Sequence, residues 1–507
     1  MALVAVLVAA GCGRGSGAGA LDETLAYLPA DARLVVVVTT DLESDAVGRL
    51  DRKIVQPQTE GRSLDDILRQ GSTSLGLSFD QDVKPLLGNP LVIGMHGQRE
   101  FTAALRVGDA AKLRQVVEKI HGVSHDGEAD GAQLFRREQG GALAIDGDFL
   151  VFAPSRAILV RALAQHDSDT GLTERRFERA LPDTSAESIV RGYADATFLA
   201  DVFGVNVEQR EIARLRSVPW FAALRTVGVT ISFPDDEHLV ADAALNTDAG
   251  KLTEDDLPLA TGAQSPEVPR RAGEIAAANR DQSRTTVFLL RAARAVFPDS
   301  RFVRAVDDLE AETGIDFEDE ILRQFDGPSA SSLTFDGKKF AARSEVRDAD
   351  RLREELRVLA PRLPELVQGL EGLRSEGLAL LLLLAPDAVT STRPLDAVRI
   401  DLPHGANELY HVSGLTGDGP SDVYFGLVGD VFVIGSDEGR ARAIADEPTE
   451  AVEHARGAAV TRFDAREGTG LLADRFRLGS NIKLGEVVGS VDASTKRVRA
   501  TLRLELP

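Results

Sequence analysis

The chain has 507 residues, 43% hydrophobic and 27% charged, which is too long for one ordinary core and gives the composition of a folded protein. Its net charge of −22 argues against nucleic acid as a partner and against docking on anionic lipid, since both need clustered Lys and Arg. One cysteine in the whole chain excludes an internal disulfide and a cysteine-based zinc cage.

The amino terminus supports two readings. Gly13-Arg14-Gly15-Ser16-Gly17-Ala18 matches the dinucleotide pattern G-x-G-x-x-G/A after an apolar run. That pattern needs a long helix directly behind it, whereas more Gly and Ala follow, then "LDETLAYL" and Pro29. The export reading fits better. Leu3 to Ala10 resembles a signal-peptide core and ends in Ala9-Ala10-Gly11 immediately before Cys12. This resembles a bacterial lipobox, in which the cysteine is lipidated and becomes the first mature residue. It departs from the pattern at Ala9, where Leu is usual. Gly13 to Ala20 then reads as a flexible tether.

Beyond the tether the chain repeats itself. "LGLSFDQDVKPLLGNP" (75–90) is echoed by "TGIDFEDEILRQFDGP" (313–328). "FTAALRVGDAAKLRQVVEKI" (101–120) is echoed by "FAARSEVRDADRLREELRVL" (340–359), and "GDFLVFAPSRAILVRALA" (147–164) by "GDVFVIGSDEGRARAIAD" (429–446). "FLADVFG" (198–204) and "LLADRFR" (471–477) continue the series. The expected division is a leader and tether over 1–20, one unit over 21–249, a linker over 250–269, and a second unit over 270–507. The second unit carries an insertion near 360–405.

Periodicity assigns the pieces. "LVVVVTT", "PLVIGMHG", "FTAALRV" and "AQLFRRE" alternate as strands do, and "ALAIDGDFLVFA" reads as two strands joined at Asp146-Gly147. Leu113, Val116, Val117 and Ile120 recur at helical spacing behind Asp109, an expected N-cap; Asp348 holds the same place before Leu352, Leu356 and Leu359. Each unit ends in a hairpin-like segment. Without regular strand–helix alternation, the expected fold is α+β: two tandem antiparallel sheet domains with helices packed on one face. "LALLLLLAP", ending at Pro386, is far short of the ~20 apolar residues that cross a bilayer. It reads as a buried element or, in a minority reading, the wall of a lipid cavity.

These features together resemble a bacterial family of exported proteins catalogued as domain of unknown function 3352. The carrying residues are "LPADARLVVVVTTDLES" (28–44), "LGLSFDQDVKPLLGNPLVIGM" (75–95) and "VGDAAKLRQVVEKI" (107–120). The resemblance implies an envelope setting and no reaction.

Chemical motifs are sparse. "DGEADG" (126–131) resembles the start of an EF-hand loop, but its twelfth position is Arg137, where a bidentate Glu is needed. In "HGVSHD", His121 and His125 stand four apart with Asp126 beside them, a spacing that on a helix could chelate one ion; Gly122 and the loop residues after it break such a helix, and exposed loop histidines are the preferred reading. His404 and His411, which flank the second insertion, are likewise read as exposed loop histidines. Ser480-Asn481-Ile482-Lys483 fits S-x-x-K without its companion motifs, and there is no G-x-S-x-G, H-E-x-x-H or Walker loop. Acidic pairs such as "PDDE" (234–237) are expected on solvated surface, while "FDQD" (79–82), at the place in the repeat that matches "DFEDE" (316–320), suggests a shared turn or helix cap. The expectation is therefore a lipoprotein on the outer face of the cytoplasmic membrane, non-catalytic, without a cofactor. Its partners would be the membrane through its anchor, and envelope proteins, cell-wall polymer or lipid. The alternatives are an exported hydrolase or metal-dependent enzyme, and a lipid carrier.

Overall fold

A computed structural model describes residues 19–506, apart from 98–99, 184–187, 204–212, 263, 272, 363–398, 402–408, 414–421 and 467–481. Cys12, residues 13–18 of the tether, the leucine run, His404 and Ser480 lie outside the described residues; Ala20, the last residue of the expected tether, is instead buried as the first residue of the helix Ala20–Leu25.

The first half contributes β1 (Leu34–Val38), β2 (Leu91–Gly97), β3 (Glu100–Arg106), β4 (Val123–Ala129), β5 (Ala132–Arg137), β6 (Ala142–Asp146), β7 (Phe149–Ala153), β8 (Ser188–Asp195), β9 (Leu224–Ser232) and β10 (His238–Thr247). The second contributes β11 (Glu274–Asn279), β12 (Ser329–Thr334), β13 (Phe340–Glu345), β14 (Arg399–Asp401), β15 (Leu409–Ser413), β16 (Asp422–Val428), β17 (Val431–Gly435), β18 (Ala459–Asp464), β19 (Glu486–Ala493) and β20 (Arg497–Glu505). All pair antiparallel. In space the first half runs β4-β5-β6-β7-β3-β2-β1-β8-β9-β10. The second runs β14-β15-β16-β17-β13-β12-β11-β18-β19-β20, the same order with each strand moved on by ten places. The final strands of the two halves, β10 and β20, pair with each other from His238↔Glu505 to Asn246↔Arg497, which makes one 20-stranded sheet. Because equivalent strands meet antiparallel, the halves are related by an approximate two-fold axis near Asp242 and Thr501, whose side chains are hydrogen-bonded at 2.6 Å.

The α+β class holds, but the helices cover both faces of the sheet, not one. Successive strand residues point to opposite faces. Leu91, Ala103, Leu105, Leu143, Ile145 and Phe152 pack with Leu64 and Leu68 of α3 (Leu64–Ser74) and with Leu113, Val116 and Val117 of α4 (Ala110–Lys119). Before these lie α1 (Ala20–Leu25) and α2 (Asp45–Leu50). The alternate residues Ala104, Ala144 and Val151 pack with Leu159 and Leu163 of α5 (Arg156–Asp167). Val92 packs with Leu21 and Leu25 of α1 and Phe177 of α6 (Glu174–Ala180). The run "FLVFA" is buried at every position, the mark of a strand covered twice.

Two further expectations need correction. The stretch 250–269 is not an exposed linker: Leu252, Leu257, Leu259 and Ala260 are buried in a core shared by both halves. Four strands follow α4, not the three expected from "AQLFRRE" and "ALAIDGDFLVFA", because "VSHDGEA" forms β4 at the sheet edge.

The halves also exchange chain. The segment between β8 and β9 carries α7 (Ala196–Phe203) and α8 (Pro219–Ala223). Val218, Trp220 and Ala223 from it pack on Phe288, Ala292 and Val296 of α9 (Gln282–Val296) in the second half. From the equivalent place between β18 and β19, Ala465, Ile482 and Leu484 pack into the core under α3 and α4 of the first half.

One acidic device occurs in both halves. Ser78 accepts from the Gln81 N–H and Asp316 from the Asp319 N–H, each opening one helical turn. Four residues on, Asp82 and Glu320 accept the N–H of Ser78 (2.9 Å) and Asp316 (2.8 Å). Asp82 also takes Lys119 Nζ of α4 at 2.7 Å, and Glu320 takes Arg351 of α11 (Ala349–Leu359), the helix after α10 (Arg301–Thr313). Asp109 and Asp348 cap α4 and α11 through the N–H groups of Lys112 and Arg351. The Lys119 hydrogen bond, with that from Ser78, holds the Asp82 carboxyl below the ordinary carboxylate range although its side chain is only 6% exposed. A group whose folded pKa is depressed stabilises the fold above its unfolded value, near ~3.9, and loses that contribution as pH falls through the folded value. Asp82→Asn is therefore expected to lower Tm at neutral pH. In thermal melts across pH the gap to wild type closes below about pH 4; a gap independent of pH contradicts this role.

Candidate functional site

His121, His125 and Asp126, the minor metal candidates of the sequence, do not converge on one point. His121 lies in the turn before β4, where Gly122 has φ 74°, and His125 and Asp126 are consecutive residues of the strand Val123–Ala129 that point to opposite faces, so no helix face collects the three. His125 faces its cross-strand neighbour Phe135, edge-on at 5.6 Å. The His121 ring lies against Gly76, and Asp126 meets Arg156 at 3.5 Å. "DGEADG" is a hairpin tip: Ala129 pairs with Ala132, and Asp130 and Gly131 both have positive φ, 51° and 81°, as the two-residue turn between twisted strands requires. His411 stacks on Tyr424 and holds Asp422 at 2.9 Å.

The acidic blocks serve structure. In "PDDE", Asp235 pairs with His238 at 2.7 Å and Asp236 with Arg49 at 2.6 Å. In "DFEDE", Glu318 meets Arg291 at 2.6 Å and Asp319 meets Arg323 at 2.8 Å.

A different constellation forms where α5 ends over the β6–β7 turn. Among the described residues, Asp146, His166 and Asp167 are the group of three metal-capable side chains whose ligand atoms all lie within 4.8 Å of one another. Each is placed by its element. Asp146 is the last residue of β6, before the tight turn Gly147-Asp148. His166 and Asp167 are the last two residues of α5, whose start is capped by Ser155. Tyr27, fully buried, follows α1 and lies under both. Its hydroxyl donates to Asp146 Oδ2 at 2.7 Å, and its ring stacks on His166 at 4.2 Å and 1°. Phe149 closes a third side, 5.7 Å from the imidazole. His166 Nδ1 lies 3.8 Å from Asp146 Oδ2 and 3.7 Å from Asp167 Oδ1, and that buried atom has no hydrogen-bond partner. Burial pushes the Tyr27 hydroxyl well above its ordinary pKa, and the bond to Asp146 pushes it further, so it remains a donor.

Sequence reasoning missed this group because its contacts span the first half, from Tyr27 to His166. One signal was available. The internal echo sets Asp146 against Val428, so the second half lacks the carboxylate. Beside the cluster, α5 borders a shallow depression of about 260 Å³ lined by Asp31, His96, Glu100, Arg161 and Gln165. In the second half, Glu267, Arg280, Arg343 and Glu345 border another of about 470 Å³. A void of about 40 Å³ beneath α4 is lined only by apolar residues.

No family model matches the chain, and no curated protein matches it. Among solved structures, crystal form III of TP0453 is similar with a TM-score of 0.29 and 11% identity, over 45% of this chain and 82% of that one. Crystal form IV of TP0453 gives 0.29 and 11%, over 44% and 80%. A TM-score of that size carries no argument about fold or function.

Proposed function

We propose that the chain is a cell-envelope lipoprotein on the outer face of the cytoplasmic membrane, where its two sheet halves form a rigid, non-catalytic body for binding or scaffolding. The observation that carries this is the placing of the only cysteine, Cys12, after an apolar core and three small residues and before a Gly/Ser tether. No helix among the described residues is long and apolar enough to cross a membrane, and an acyl chain on Cys12 would supply the anchor. Support for the non-catalytic part comes from the acidic blocks, which are engaged in caps and ion pairs, and from the direct hydrogen-bonded join of the halves. Its partners would be envelope proteins, cell-wall polymer or lipid. The carrier alternative gains nothing from the void beneath α4, whose roughly 40 Å³ has room for water but not for an acyl chain.

In cells given radiolabelled palmitate, the wild-type chain is expected to take up label and fractionate with membrane, and Cys12→Ala to do neither. Wild-type protein without label, recovered in the cytosol, would overturn the proposal.

A further inference from the structure

We infer that Asp146, His166 and Asp167 form a binding site for one divalent transition-metal ion of the zinc class. The distances point to a shared ion more than to a direct ion pair. A protonated imidazole on a carboxylate closes to ~2.7–2.9 Å, as His238 does on Asp235 at 2.7 Å in this same chain. Here Nδ1 stands back from both carboxylates by 3.7 and 3.8 Å, buried and without a hydrogen-bond partner. Two ligands of one tetrahedral ion, each ~2.0–2.2 Å from it, stand about 3.3–3.6 Å apart. The two nitrogen–carboxylate distances need to contract by a few tenths of an ångström, and the carboxylate oxygens of Asp146 and Asp167, which lie within 4.8 Å of each other, would close to the same spacing around the ion. One nitrogen and two carboxylate oxygens form a donor set suited to Zn²⁺ or Mn²⁺, and water would complete it.

The surroundings are those of a supported ligand set. Tyr27 fixes Asp146 by a hydrogen bond and the imidazole plane by stacking, the outer-shell arrangement that orients metal ligands. Tyr27 is a positioning residue, and its loss is expected to weaken binding about tenfold. The second half has Val428 in place of Asp146, so one ion per chain is expected, not two.

The test is equilibrium dialysis of the full chain against Zn²⁺ at neutral pH, followed by metal analysis. Wild type is expected to hold one Zn²⁺. His166→Ala and Asp146→Asn are expected to lose it, and Tyr27→Phe to bind about tenfold more weakly. If either of the first two fails to fold, Asp167→Asn decides, because Asp167 is half exposed at a helix end; it is expected to weaken binding at least tenfold. The double variant His121→Ala/His125→Ala should keep its ion. No stoichiometric Zn²⁺ on wild type, binding unchanged in the site variants, or loss in the His121/His125 variant would each overturn the inference. None of these results bears on palmitate labelling, so this site and the proposed anchor stand or fall separately.

Discussion

Trp220→Ala is expected to lower the free energy of unfolding by about 3–5 kcal/mol, the range for emptying a buried aromatic site. Trp220 is the only tryptophan and is 1% exposed. It comes from the first half, on α8, yet its ring meets Phe288 of the second half edge-on at 6.2 Å and Phe221 at 5.0 Å. The same core holds Leu252, Leu257 and Leu259 of the connection. A cavity there loosens three parts of the chain together, so collapse of the site is restricted and the upper part of the range applies. Chemical denaturation followed by far-UV circular dichroism measures the loss. The wild-type transition seen by Trp220 fluorescence should coincide with it, because the residue reports the joint core. A change below about 1 kcal/mol would mean that Trp220 is not packed between the halves.

Much of the local structure was legible in the sequence, and much of the assembly was not. Strands such as "LVVVV" and "PLVIGMHG", and the caps Asp109 and Asp348, follow from residue type and spacing acting over a few positions. The acidic turns at 79–83 and 317–321 were visible because they occur twice. β4 was missed because it is a polar edge strand, Val123-Ser124-His125-Asp126, whose side chains are mostly exposed or half-buried. Helices on both faces could have been read from the unbroken apolar run Phe149-Leu150-Val151-Phe152, which leaves no side for water. The exchange of Trp220 and Ile482 between halves has no local signature, since each is apolar whichever core receives it. Tyr27, Asp146 and His166 were missed for the same reason: only the folded sheet brings a helix end, a turn and the amino-terminal segment together.

The largest stabilisation is expected from tying the two final strands together. Ala243 and Ala500 are direct partners across β10 and β20. Partner Cα atoms in an antiparallel pair are ~4.5–5.5 Å apart, within the span a disulfide bridges. A bond between them closes a loop of more than 250 residues, for which chain entropy gives about 5.5 kcal/mol as an upper value. The natural chain has only Cys12 to interfere, so the pair is placed in a Cys12→Ala background.

This pair also tests the central claim, that the two halves form one sheet by joining equivalent strands in this register. The measurement is disulfide formation under mild oxidation in Ala243→Cys/Ala500→Cys, followed by the gel shift of the looped chain and by Tm with and without reductant. Near-complete cross-linking and a higher Tm when oxidised are expected. No cross-linking is expected in Ala243→Cys/Thr501→Cys, where the second side chain lies on the opposite face. Free thiols in the first pair, or equal cross-linking in both, would contradict the claim.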